Sequence, residues 1–162
     1  GNTGTVYVDE PVDSFAKSGH VIKGLGELKY DLDDHLSKGG KVLGHNIAVF
    51  DLPILRDSMD IYCIHKYIGD ENYIDTSKIL LKEHGERFQL KNLVKCTMGD
   101  SKLMDSADAP KLWKMGQYDE VVEYCMKDTQ LVYDLWQYGK EHGIVKAFSI
   151  EKEEFVDLEV NW

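Results

Sequence analysis

Two acids in this 162-residue chain stand where an ordinary sequence would place an apolar side chain or a simple cap. Asp128 falls in the middle of an apolar stripe formed by Val121, Tyr124/Cys125, Leu131/Val132 and Leu135, whose spacing is that of one helical face. Tyr124, one turn earlier, shares that face. A carboxylate drawn into a protein interior costs on the order of several kcal/mol unless a charge, a metal or hydrogen bonds compensate it. Asp128 therefore either lies at the edge of a wide stripe or has a partner. Asp51, the second acid, follows the apolar Val42-Leu43, the polar turn Gly44-His45-Asn46 and the stretch Ile47-Ala48-Val49-Phe50. That order puts it beyond the carboxyl end of a strand, where open α/β sheets gather their ligand sites. Taken alone it also reads as a plain helix cap ahead of Pro53. In the same loop His45, Asn46 and Phe50 could touch a substrate, although for His45 and Asn46 service to the backbone of the turn is slightly favoured.

Together these patterns carry more than either alone. Asn46-x-x-x-Phe50-Asp51, followed much later by Tyr124-x-x-x-Asp128, resembles the second and third motifs of the DEDD 3′-to-5′ exonucleases. That RNase H-like family includes polymerase proofreading domains. The chain is most similar to the branch typified by exonuclease domains attached to some DEAD/DEAH-box helicases. The similarity runs from about residue 28 to 143, through Gly44-His45-Asn46-Ile47-Ala48-Val49-Phe50-Asp51-Leu52-Pro53-Ile54-Leu55, Tyr73-Ile74-Asp75-Thr76 and Asp119-Glu120-Val121-Val122-Glu123-Tyr124-Cys125-Met126-Lys127-Asp128. A sister subgroup has His five residues before the last Asp, and Glu123 at that position indicates the Tyr subgroup.

The resemblance implies a two-metal mechanism, in which Mg²⁺ or Mn²⁺ ions roughly 4 Å apart clamp a scissile phosphate. Hard cations prefer oxygen, so such a site is built from acids. Asp128 is then expected to ligate the metal that carries the nucleophile and Asp51 to hold the second largely through water, with Tyr124 positioning the attacking water. The implied substrate is the 3′ end of single-stranded DNA or RNA, and an implied partner is a helicase or polymerase region of the same longer protein.

The family's first motif, Asp-x-Glu on a central strand, is not found at its expected place. Asp9 and Glu10 are adjacent, so they cannot point the same way along a strand. An Asp-x-Glu does occur in Phe155-Val156-Asp157-Leu158-Glu159-Val160, with the acids on one face and the valines and leucine on the other. Asp157 and Glu159 are thus secondary metal-ligand candidates. Either the domain is permuted and this strand fills the central slot, or it is the second arm of a C-terminal hairpin with solvated acids. The surface-like Glu151-Lys152-Glu153-Glu154 favours the hairpin. Without the first motif the alternative function is a non-catalytic docking or regulatory module of a helicase or polymerase. The start Gly1-Asn2-Thr3-Gly4, without Met, reads as the interior of a longer protein or the remnant of a tag.

The elements that would position these residues follow from periodicity and punctuation. Short strands are expected at 5–8, 21–22 and 41–44, the first stopped by Pro11. Helices are expected at 28–36, from residue 51 onward, at 78–84 closed by Gly85, at 89–96, and at 119–138 stopped by Gly139. Tyr73-Ile74-Asp75-Thr76 reads as a strand ending in a cap, 60–69 is ambiguous, and 101–115 reads as a loop with a short helix. The tail from 144 to 162 is a hairpin. The expected fold is α/β, a single domain with an RNase H-like mixed sheet flanked by helices.

Composition sets the outer limits. With 43% apolar residues the chain is long enough to bury a core. Its net charge of −10, with only Arg56 and Arg87 as guanidinium donors, argues at first against a ligand held by phosphate neutralisation. A two-metal site answers that objection, since its ions supply positive charge locally. Cys63, Cys96 and Cys125 form no CxxC pair, which favours reduced thiols and a cytoplasmic setting over a disulfide framework. No apolar run approaches the roughly 18 residues of a membrane span, and the six histidines offer no i, i+4 zinc pair.

Overall fold

The structure, a computed structural model, describes residues 4–9, 19–100, 105 and 107–162. Pro11, expected to stop the first strand, lies outside the described residues. Strands and helices are mixed along the chain, an α/β arrangement. The strands pair two by two instead of forming one continuous sheet among the described residues. Strand β1 (Thr5–Val8) runs parallel to β2 (Val21–Gly24), and β3 (Val42–Gly44) runs parallel to β4 (Tyr73–Asp75). Strand β5 (Ile144–Ser149) is antiparallel to β6 (Glu154–Glu159). With three residues each, β3 and β4 make a short ladder, and it is helices that pack around it.

Helix α1 (Leu25–Ser37) carries the expected four-residue repeat Leu28, Leu32 and Leu36, which packs against a core of Leu52, Ile61, Cys63, Ile64 and Tyr67. That core explains the segment the sequence leaves ambiguous. Ile64 and Tyr67 are fully buried, so residues around them form α3 (Ile64–Gly69), and the Tyr67 hydroxyl donates to the Leu32 carbonyl at 2.7 Å. Helix α2 (Asp51–Asp57) contributes Leu52 to the same core.

The larger core lies toward the C-terminus. Helix α4 (Thr76–His84) gives Leu80, α5 (Leu90–Met98) gives Leu93, α7 (Tyr118–His142) gives Leu135, and the hairpin gives Val145, Ala147, Leu158 and Val160. Between α5 and α7 a short helix, α6 (Ala109–Lys114), occupies the region read as a loop with a helix, and Trp113 there packs edge-on against Tyr118 at 4.7 Å.

Helix α7 runs past its expected stop. Gly139 lies inside the helix and Gly143, at φ 73°, ends it. A glycine is needed at 139 for close approach and not for termination. A Cβ built there would lie 2.7 Å from the Trp162 indole, whose ring nitrogen donates to the Trp136 carbonyl at 2.9 Å. No helix among the described residues is long and apolar enough to cross a membrane.

Candidate active site

The loop after β3 is held in place by one buried acid. Asp75, the last residue of β4, is 3% exposed and accepts four backbone N–H groups. Two come from the first turn of α4, Ser77 at 3.0 Å and Lys78 at 3.2 Å, and two from the β3–α2 loop, Asn46 at 2.8 Å and Ala48 at 2.9 Å. One carboxylate thus caps α4 and ties the neighbouring loop to it. Charge-assisted bonds from otherwise orphaned donors offset the cost of burying it. The loop's turn is made by Asn46 in the left-handed region at φ 67°, a conformation that asparagine tolerates better than most residues.

His45 locks the same junction. Its Nε2 lies 2.8 Å from the Phe88 carbonyl and its Nδ1 lies 2.8 Å from the Thr76 hydroxyl. A carbonyl only accepts, so Nε2 carries the proton. In the neutral ring Nδ1 then takes the Thr76 proton, leaving the longer 3.3 Å contact from that hydroxyl to the Gly44 carbonyl the weaker one. Burial, the largest influence, lowers the pKa of His45 and favours that neutral form. Both nitrogens are spent inside the fold, so His45 is a structural residue with none left for a substrate.

Asn46 points its side-chain oxygen at Arg87, which donates from Nη1 at 3.3 Å. Arg56 is engaged by Asp57 through two bonds of 2.6 and 2.7 Å, whereas Arg87 joins no ion pair among the described residues. Phe50 is 60% exposed at the N-cap of α2, with no side-chain capping bond. Asp51 is therefore the first residue of the helix and not its cap. Asp51 is exposed as a residue, yet loss of hydration raises its carboxyl pKa. A backbone hydrogen bond opposes that rise, and the charge of Asp75 adds to it.

On α7 the stripe is real and its acid is half-buried. Val122, Leu131, Val132 and Leu135 are buried on this helix, with Val122 taking the place expected for Val121. Tyr124 and Asp128 lie one helical turn apart and act on each other's titration. Burial first and then Asp128 push the Tyr124 pKa up to about 12, so the hydroxyl keeps its proton. Burial also raises the pKa of Asp128, against the lowering effect of the Tyr124 hydroxyl. Asp128 Oδ1 is buried and has no hydrogen-bond partner among the described residues. Asp128 is thus neither a solvated edge residue nor a satisfied core residue.

Helix α7, which carries Tyr124 and Asp128, packs against β3, the strand leading to the Asp51 loop. The carboxylate whose charge acts on Asp51 is nevertheless Asp75, and Asp128 interacts with Tyr124. Among the described residues no group of three or more His, Cys, Asp or Glu side chains is arranged to hold a metal.

Asp157 and Glu159 are in the hairpin. They face Lys146 and Ile144 of β5, the only strand beside β6 among the described residues, and both are exposed. The favoured hairpin is therefore the arrangement found, and not the permuted one: Leu158 and Val160 are buried in the C-terminal core, and the alternation that buries them turns the acids outward. The residues that sequence reasoning under-read are Asp75 and Arg87. The signal for Asp75 was an acid ending a strand and opening a helix. Arg87 could have been noticed as one of only two arginines. No protein-family model matches the chain, and comparison with curated proteins and with solved structures finds no match either.

Proposed function

We propose that the chain is an RNase H-like domain of the DEDD Tyr subgroup, acting as a metal-dependent 3′-to-5′ exonuclease on single-stranded DNA or RNA. The observation that carries this reading is the Tyr124–Asp128 pair with its buried, unpartnered carboxylate oxygen. An anionic oxygen left without a donor in a desolvated position suits a hard cation, so the residue chemistry fits Mg²⁺ or Mn²⁺. Asp128 would hold the ion, with Asp51 as the second carboxylate. A bound ion would supply charge neutralisation at the phosphate and a water of lowered pKa. Tyr124, protonated at neutral pH, would orient a water through hydrogen bonding and would not act as a base. The exposed Phe50 ring offers a face for a terminal base, and Asn46 with Arg87 offers donors for the phosphate backbone. Reduced cysteines agree with a cytoplasmic setting, and the resemblance points to a helicase or polymerase region as companion.

A second reading is a docking or regulatory module of the same fold. It is favoured by the inward commitment of His45, whose two nitrogens serve the fold. Release of nucleotides from a 3′-labelled single strand in Mn²⁺ separates the two. The enzyme reading expects release by the wild type and none by Asp128→Ala. Equal inertness of two folded proteins would leave the docking module.

A further inference from the structure

The two edges of the C-terminal hairpin are treated differently. Val160 donates to the Gly143 carbonyl at 2.9 Å, and the bonded pairs continue through Val145 with Leu158, Ala147 with Val156 and Ser149 with Glu154. In an antiparallel ladder bonded and non-bonded pairs alternate. The N–H and C=O groups of Lys146 and Phe148 on β5, and of Phe155, Asp157 and Glu159 on β6, therefore point away from the hairpin.

On β5 helix α5 closes the edge. Thr97 Oγ1 accepts from Lys146 N at 2.8 Å and lies 3.0 Å from Lys146 O. The Asn92 amide accepts from Phe148 N at 2.8 Å and donates to Phe148 O at 2.7 Å. Two side chains of one helix stand in for a neighbouring strand. On β6 only the last residue is covered, by a bond of 2.8 Å from His84 Nε2 to the Glu159 carbonyl. The outward groups of Phe155 and Asp157 meet no partner among the described residues.

The side chains along that open edge select what could pair with it. Phe155 is 78% exposed and stacks edge-on with Phe148 at 5.2 Å, and Ile150 is exposed at the turn. Glu154, Asp157 and Glu159 are exposed along the strand. A second copy of β6 would bring acid against acid, which disfavours self-pairing. An extended segment with Lys or Arg at alternate positions would bring opposite charges together while its backbone completes the ladder.

We propose that the β6 edge is a docking strand for an extended, basic segment of a partner protein, which adds to the hairpin through the backbone groups of Phe155 and Asp157. The proposal does not depend on nuclease activity. It is tested by titrating the ¹⁵N-labelled chain with the capped peptide Lys-Val-Lys-Val-Lys-Val and, separately, with Glu-Val-Glu-Val-Glu-Val. The basic peptide should shift the amide signals of Phe155 and Asp157 and slow their hydrogen exchange, while Lys146 and Phe148, already bonded to α5, stay unchanged. The acidic peptide should do neither. Paired Asp157→Lys and Glu159→Lys substitutions should weaken the basic peptide by roughly tenfold and admit the acidic one. Asp157→Pro removes an outward donor that no hairpin bond uses and should abolish the response. The wild-type comparison stands even if a variant fails to fold. Equal responses to the two peptides, a response confined to other residues, or no response at Phe155 and Asp157 would overturn the proposal.

Discussion

Asp75 and Asp128 are both withdrawn from water, and their surroundings are opposite. Asp75 lies where two elements meet and spends its oxygens on four backbone donors. Asp128 lies on one face of a long helix one turn from Tyr124, and keeps one buried oxygen unpaired among the described residues. Burial by itself therefore does not mark a functional acid. What separates the two is whether the lone pairs are consumed by the fold or left for something outside it. The first arrangement contributes stability, and the second leaves a buried acceptor unsatisfied, which costs stability.

Exchanging each acid should break this contrast in opposite directions. Asp75→Ala strips a cap and leaves loop donors unsatisfied, and should cost about 3 kcal/mol in denaturant unfolding. Asp128→Ala removes an unsatisfied oxygen and should change stability by less than about 1 kcal/mol. A comparable loss in the two variants would erase the distinction. His45 belongs with Asp75, and His45→Ala should cost about 2 kcal/mol, since two internal hydrogen bonds are lost together.

Metal binding sharpens the contrast from the other side. At about ten times its dissociation constant, Mn²⁺ should stabilise the wild type by about 1.4 kcal/mol and leave Asp128→Asn unaffected, as read by thermal unfolding. Asp75→Asn, in contrast, should retain the metal response from its lower baseline.

The pH dependence is the smallest of these effects. The folded-state pKa of Asp128 is raised above its ordinary 3.8, so ionisation works against the fold. Its destabilising effect begins as pH rises past 3.8, is complete above the raised value, and is absent in Asp128→Asn. Glu86 behaves in reverse. It accepts from the Ser149 hydroxyl at 2.6 Å and from Ile150 N at 2.9 Å, and these bonds lower its pKa below the ordinary 4.5. Its stabilising contribution is present above 4.5 and is lost as pH falls through the lowered value. Acid unfolding curves of Asp128→Asn and Glu86→Gln should thus depart from the wild type with opposite sign.

The pattern of legibility follows the same physics. Local signals read well: the four-residue leucine repeat of α1, the strand-to-cap step at Asp75, the terminal hairpin and the half-buried Asp128 all appear where periodicity and turn chemistry put them. Features that depend on distant partners did not. Gly139 reads as a stop because nothing local reveals that Trp162 will lie against it. His45 reads as a residue of its own turn or a substrate contact, because Phe88, which accepts its Nε2 proton, is 43 residues away. The division of the strands into pairs was likewise invisible, because pairing is decided by which helices reach a short ladder and not by the strand's own sequence.

The central proposal is that Asp128 would hold a divalent cation, which would lower the pKa of the water that attacks a phosphodiester. The most direct test is the rate of nucleotide release from a 3′-labelled single strand in Mn²⁺ by wild type and by Asp128→Ala, with folding of each verified by circular dichroism. The account predicts metal-dependent release that falls by about 10³-fold or more in the variant. Release that is equal in the two folded proteins, or absent from both, would contradict it.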